Sequence, residues 1–203
     1  MDKANKIQQL YTICHADYDL HMSKTGHYDA QEKILQLLAG QIHEPILDLA
    51  CGTGFLISRL SKKFTEIYGN DYSSAMAEIA TKKTGHKITI ENAESLESYS
   101  QKFKTIICCN LFFYLQNRDK ALNRWANLLE TDGKIIFLEE YPFLKPASEE
   151  MDKHTEELML LINPISLKDI TNLLSQNGFK MDAEVKTSID DKHSLYGLVF
   201  SLK

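Results

Sequence analysis

The sequence predicts an α/β fold: a doubly wound sheet of seven strands, mostly parallel and closed by an antiparallel C-terminal hairpin. Three observations predict it. The stretch Pro45–Gly54, PILDLACGTG, sets Ile46, Leu47, Leu49 and Ala50 around one acid, Asp48, and then runs into glycines and an amphipathic segment. A run this short and apolar, stopped by glycine, reads as a buried strand turning into a helix. Further short apolar runs at 66–70, 87–91, 103–109 and 134–139 alternate with helical patterns, as a parallel sheet with crossover helices requires. Finally, the strand-like runs Met181–Ile189 and Ser194–Leu202 are separated by a turn of a few residues. So tight a connection makes the pair antiparallel, because a parallel crossover needs a dozen residues or more.

Taken in order, residues 3–44 read as helices plus a connecting segment. Asp29-Ala30-Gln31-Glu32 has capping-box spacing, with Ile34, Leu35, Leu37 and Leu38 on one side and Gly40 as the stop. Before it, residues 18–29, YDLHMSKTGHYD, crowd two tyrosines, two histidines and a methionine into a stretch that no core helix needs. Phe55–Phe64 is a helix with Leu56, Ile57, Leu60 and Phe64 at helical spacing, and Ser73–Thr84 is another, capped by serine and stopped by Gly85. The strand Phe103–Cys109 ends at Asn110. A helix follows, with Leu122, Trp125, Leu128 and Leu129 on its packed face, then a turn at Thr131-Asp132-Gly133 before the fifth strand. Residues 143–165 are punctuated by Pro146 and Pro164 and hold one amphipathic run, Glu149–Leu161. Ser166–Asp169 opens a helix with Ile170, Leu173 and Leu174 inward and Gly178 at its end. Met181–Ile189 alternates strictly, as a strand with one wet face does.

The 203 residues fit one domain, and 43% hydrophobic with 25% charged residues is ordinary for a globular protein. A net charge of −5 and a pI near 5.8 argue against a nucleic-acid partner. No apolar run approaches the roughly 20 residues that span a bilayer, and the N-terminus has no signal-peptide core, so a cytoplasmic location without membrane association is expected. Cys14, Cys51, Cys108 and Cys109 have no metal-ligand spacing and read as reduced structural thiols; no metal is expected.

The glycine loop decides the ligand. Such a loop, between a strand and a helix at the sheet's carboxyl edge, is where α/β folds bind nucleotide-like molecules. Ile57 stands where a dinucleotide fingerprint needs its third glycine, which argues against a nicotinamide oxidoreductase. Asp48 would repel a diphosphate but suits a ligand bearing ammonium or sulfonium. Asp71, ending the second strand, is placed to accept both hydroxyl hydrogens of a ribose. With these motifs in order, DLACGTG and then YGNDYSSAM, the chain resembles the Rossmann-like class I S-adenosylmethionine (SAM) dependent methyltransferases from about Ile46 to the C-terminus.

The resemblance implies SAM as cofactor and S-adenosylhomocysteine (SAH) as product. It assigns cofactor binding to Asp48, Ala50, Cys51, Gly52, Gly54, Asp71, Tyr72, Met76, Asn92, Ala93, Glu94, Asn110, Leu111 and Tyr18. Asn92 departs from the acidic residue often found beside the adenine amino group, and offers a neutral acceptor instead. It also implies one domain over 1–203: residues 1–44 an N-terminal helical lid, 45–140 the cofactor-binding core, 141–165 a substrate cover, and 166–203 the closing helix and hairpin. Asn110-Leu111-Phe112-Phe113 lacks the run of nucleobase-amine enzymes, and no Pro-Cys pair marks a cytosine-C5 enzyme. A small-molecule acceptor is therefore expected, in a monomer or homodimer. A protein side chain or modified nucleoside as acceptor, and a SAM-binding module without catalysis, are the alternatives. Proton removal falls to His27, then His193, with Tyr28 beside them; His21 and Tyr114 also fall near the pocket.

Overall fold

The computed structural model describes residues 3–14, 16–142 and 153–203. Seven strands form one sheet in the order β3-β2-β1-β4-β5-β7-β6. The strands are β1 (Ile46–Leu49), β2 (Ile67–Asp71), β3 (Ile88–Ile90), β4 (Phe103–Cys109), β5 (Leu129–Tyr141), β6 (Phe179–Ser188) and β7 (Ser194–Leu202). The first five are parallel; β7 runs antiparallel to β5 and to β6, with Tyr141 opposite Ser194. The helices are α1 (Lys3–Cys14), α2 (Tyr18–Lys24), α3 (His27–Leu37), α4 (Phe55–Leu60), α5 (Ser74–Thr84), α6 (Arg118–Leu128), α7 (Lys153–Leu161) and α8 (Leu167–Gln176).

Alternation along the strands builds a core on each face of the sheet. Leu47, Leu49, Ile106 and Cys108 face Trp125 of α6 and Leu174 of α8. Ile46 and Ile107 face Ile34 of α3, Ile57 of α4 and Ala80 of α5. The inner strands are buried on both sides, hence their nearly continuous apolar runs. Trp125 is core, as its spacing predicts, and its Nε1–H donates to the carbonyl of Ala93 at 2.8 Å.

Local boundaries differ from the sequence expectations for identifiable reasons. The Asp29–Glu32 capping box does not form: α3 begins three residues earlier, with Gly26 in place of Asp29 as the N-cap, and the φ of 80° at Gly26 turns the chain in from α2. Its last residue, Leu37, is 58% exposed, and Gly40 sits in a 3-10 turn beyond the helix. The glycine-loop helix stops at Leu60, four residues short. Leu129 is strand, not helix: β5 pairs Phe103 with Leu129 and Thr105 with Lys134, so the expected turn at 131–133 is an irregularity inside one long strand. Ser73 and Gly85 do cap α5 as expected, Ser73 Oγ accepting the N–H of Met76. Of the expected run Glu149–Leu161, residues 149–152 lie outside the described residues; the rest falls in α7. Among the described residues no helix is long and apolar enough to cross a membrane.

Candidate active site

Parallel strands place their carboxyl ends along one edge, and the loops leaving β1, β2, β3, β4 and β5 line a cavity of about 590 Å³ there. Ala50 and Gly52 follow β1, Asp71 ends β2, Asn92–Glu94 follow β3, Cys109 and Asn110 end β4, and Glu140 comes from β5. The roof is helical: Ile7, Gln8 and Tyr11 of α1, Tyr18 and His21 of α2, Leu158 and Met159 of α7. A cavity of this size, apolar with a few converging polar groups, is what a small-molecule site needs.

The backbone at this edge is held in unusual conformations. Ala50 and Asn110, the first residues past β1 and β4, have φ of 49° and 48° although neither is glycine. Such residues cost about 1–3 kcal/mol each and persist where their surroundings fix them. The fixing is visible. Buried Asn70 accepts the N–H of Ala50 at 3.4 Å and donates to the carbonyl of Glu91 at 2.9 Å, tying the ends of β1 and β3 across β2. Asn110 Oδ1 accepts the N–H of Glu140 at 3.3 Å, doing the same for β4 and β5.

Asp71 is the hinge of the floor. One carboxylate oxygen accepts the N–H of Gly52 and the other that of Ser73, both at 2.8 Å. Burial pushes its carboxyl up to about 6 against the opposing pull of these two bonds. Asp71 also serves the fold: its strand is the second from the sheet's end, and its carboxylate anchors the glycine loop. A carboxylate has about four acceptor positions, so both oxygens keep capacity for a ligand.

Asp48 lies deeper. It is 1% exposed, and neither carboxylate oxygen has a hydrogen-bond partner among the described residues. Burial, then the charge of Asp71, raises its carboxyl to about 8. It borders a void of about 40 Å³ beneath the glycine loop, shared with Tyr28, Gln31, Cys51 and Thr53, and not the main cavity.

Of the expected cofactor residues, Ala50, Gly52, Asp71, Tyr72, Met76, Asn92, Ala93, Glu94, Asn110, Leu111 and Tyr18 line the main cavity. Cys51 and Gly54 do not. Cys51 turns its thiol toward the sheet, where it would sit 3.3 Å from a β-carbon at Gly69. Gly54 has a φ of +79°, and a β-carbon there would meet Thr84 Cγ2 at 2.9 Å and Ala80 Cβ at 3.1 Å. Its glycine is demanded by α5, not by a ligand. Glu94 turns out to be a clamp, its carboxylate accepting the N–H groups of Gln116 and Asn117. Asn92 Oδ1 accepts the N–H of Glu94 at 2.9 Å.

The expected proton-removing residues separate. His27 is on the cavity wall, with Nδ1 2.7 Å from Thr25 Oγ1 and Nε2 3.0 Å from Glu140 Oε2. Tyr28 faces the small void, stacked on Phe55 at 3.8 Å, and its hydroxyl donates to Asp19. His193 is at the carboxyl edge, as the hairpin requires, yet lines neither cavity. Asp190 captures it: the carboxylate meets Nδ1 at 2.7 Å and accepts the N–H groups of Lys192 and His193, closing the tight turn. Sequence reasoning missed Asn70, Glu140 and the cavity face of α1. Only the position of Glu140 at a strand end could have marked it.

A family model described as "Methyltransferase domain" matches residues 46–133. An uncharacterized methyltransferase of Anoxybacillus flavithermus is 32% identical over 114 residues, 54% of this chain and 53% of that protein. The demethylmenaquinone methyltransferase of Thermotoga maritima is 33% identical over 116 residues, 55% of this chain and 50% of that protein. The chain thus spans about half the length of the curated relatives it matches. Among solved structures, magnesium protoporphyrin IX methyltransferase from Synechocystis with bound SAH superposes with a TM-score of 0.72, covering 98% of this chain and 100% of that one. At 16% identity that likeness establishes the fold.

Proposed function

We propose that this chain, a class I SAM-dependent methyltransferase by its domain over residues 46–133 and by its fold, transfers a methyl group from SAM to a small organic acceptor. The observation that carries the reading is the floor of the cavity, where the carboxylate of Asp71 and the loop at Gly52 are bonded together at the ends of adjacent strands. The residues fit the cofactor. Asp71 keeps acceptor capacity for a ribose, Met76, Ala93 and Leu111 offer apolar wall for a base, and Asn92 gives a neutral acceptor beside it. Gly52 presents bare backbone, with Tyr18 Cε1 3.8 Å from where a β-carbon would be.

Bound SAM supplies an electrophilic methyl group on sulfonium. The residues of this chain have only to hold an acceptor in line and exclude water, and orientation alone can contribute much of such a rate. The cavity under α1, α2 and α7 supports a small acceptor, as do the acidic balance, a relative named for demethylmenaquinone and a structural neighbour named for magnesium protoporphyrin IX. The free thiols of Cys51, Cys108 and Cys109 accord with a reducing, cytoplasmic setting. Calorimetric titration with SAH and with NAD tests the reading. Saturable heat with SAH and none with NAD is expected; no heat and no thermal shift with SAM or SAH would overturn it.

A further inference from the structure

The cavity extends past the part the proposed cofactor accounts for. The ribose-binding acid is at the end of β2, and the adenine side lies toward β3, at Asn92 and Ala93. The rest of the cofactor must then cross β1 toward β4. Glu140, at the end of β5, stands three strands from Asp71, roughly 14 Å at about 4.8 Å per strand. It thus lies at the far side of the cavity from the residues proposed for ribose and adenine, where an acceptor would approach the cofactor's methyl group.

His27 and Glu140 meet there, and their hydrogen bonds distinguish their roles. Both ring nitrogens of His27 are engaged, Nδ1 with Thr25 and Nε2 with Glu140. Thr25 is itself fixed, its hydroxyl donating to the carbonyl of His21 at 2.9 Å. No ring nitrogen of His27 is left to face an acceptor. Glu140 has one oxygen on His27, while Oε1 has no hydrogen-bond partner among the described residues, and the residue lines the cavity. Its backbone is pinned by Asn110.

Resting on the methyltransferase reading, we infer that Glu140 is the residue that meets the acceptor, that His27 positions it, and that the acceptor presents an N–H or O–H to its free oxygen. A carboxylate oxygen only accepts hydrogen bonds, so it selects an amine, amide, phenol or alcohol over an acceptor without a proton on the reacting atom. Glu140 takes that proton as the acceptor's nitrogen or oxygen bonds to the methyl carbon and the carbon–sulfur pair returns to sulfur, leaving SAH, methylated acceptor and a protonated carboxyl. His27 holds the other oxygen so that one lone pair stays aimed into the cavity.

Sinefungin tests this without knowing the acceptor, because it carries a primary amine on carbon where SAM carries its sulfonium methyl. Its affinity relative to SAH is measured by calorimetry for the wild type, Glu140→Gln, His27→Ala and His27→Gln. The wild type should prefer sinefungin at least tenfold. Glu140→Gln should lose most of that preference with SAH affinity unchanged, His27→Ala should reduce it several-fold, and His27→Gln, whose amide can still donate to Glu140, should restore it. A Glu140→Gln protein with the wild-type preference overturns the assignment of Glu140. Equal preferences in both His27 variants overturn the positioning role. Failure of the wild type to bind SAH would instead remove the cofactor reading beneath.

Discussion

Asp71 spends an acceptor position of each oxygen on protein, at Gly52 and at Ser73, so the proposed ligand would share this carboxylate with the loop. Asp71→Ala should therefore do two things. It should weaken SAH by about 1.5–3 kcal/mol for lost hydrogen bonds to a charged group, and lower unfolding stability by about 1–3 kcal/mol for the stranded N–H groups. Calorimetry and urea denaturation separate the two; an unchanged affinity would take Asp71 out of the site. Gly54 should behave in the opposite way. Its positive φ and the 2.9 Å approach to Thr84 mean that Gly54→Val destabilises by at least about 1–2 kcal/mol. The folded fraction should still bind SAH, as continued thermal stabilisation by ligand would show. Both residues were legible as motif members, but what each touches was not. Sequence order gives a glycine's place in a loop; it does not reveal that α5 crosses behind it.

Among the elements, α2 is held by its buried Met22 and by the hydrogen bonds of one acid. Asp19 meets Tyr28, Thr53 of the glycine loop and Lys83 of α5, and although burial opposes it, those hydrogen bonds hold its carboxyl below the usual range. One side chain thereby joins the roof of the cavity to its floor. Asp19→Ala should speed amide exchange across residues 18–24 and leave β1 and β4 unchanged, since local opening tracks local contacts. In the parent protein SAH should slow exchange in α1 and α2, and equal exchange with and without ligand would make both plain surface helices. The sheet was legible almost strand by strand, because burial on both faces writes itself as unbroken apolar runs. Where contacts from elsewhere decide, the sequence was silent. The capping-box spacing at Asp29 yielded to Gly26, whose left-handed turn starts the helix three residues sooner. The polar Thr131–Gly133 reads as a turn but is carried inside β5. The roof function of α1 depends on where the helix lands.

At the scale of the whole molecule, three of the acids buried among the described residues, Asp48, Asp71 and Glu139, share an upward shift. Asp48 and Glu139 are pushed up to about 8 and Asp71 to about 6, burial being the largest cause in each. Among the described residues, Glu139 has the N–H of Phe112 at 3.4 Å and the charge of Arg118 in compensation. The consequence for stability has a definite sign. An acid whose folded pKa lies above its unfolded value keeps its proton in the native state after the unfolded chain has released it. Between about pH 4 and pH 8 the native state binds more protons, so stability falls as pH rises through that window. The acids shifted the other way, Asp19, Glu44 and Asp190, change protonation at or below their ordinary values near 4 and contribute a constant amount above pH 5. The ligand-free protein should then be less stable at pH 8.5 than at pH 5.5, by at least the roughly 1.4 kcal/mol that one pKa unit represents. Asp48→Asn keeps the shape of the protonated acid and cannot ionise. Urea midpoints at the two pH values should therefore differ less in Asp48→Asn than in the wild type, with the variant gaining mainly on the alkaline side. A wild type as stable at pH 8.5 as at pH 5.5, or a variant with the same slope, would mean that Asp48 ionises inside the fold at no cost. Some cation or donor would then have to reach the space beneath the glycine loop.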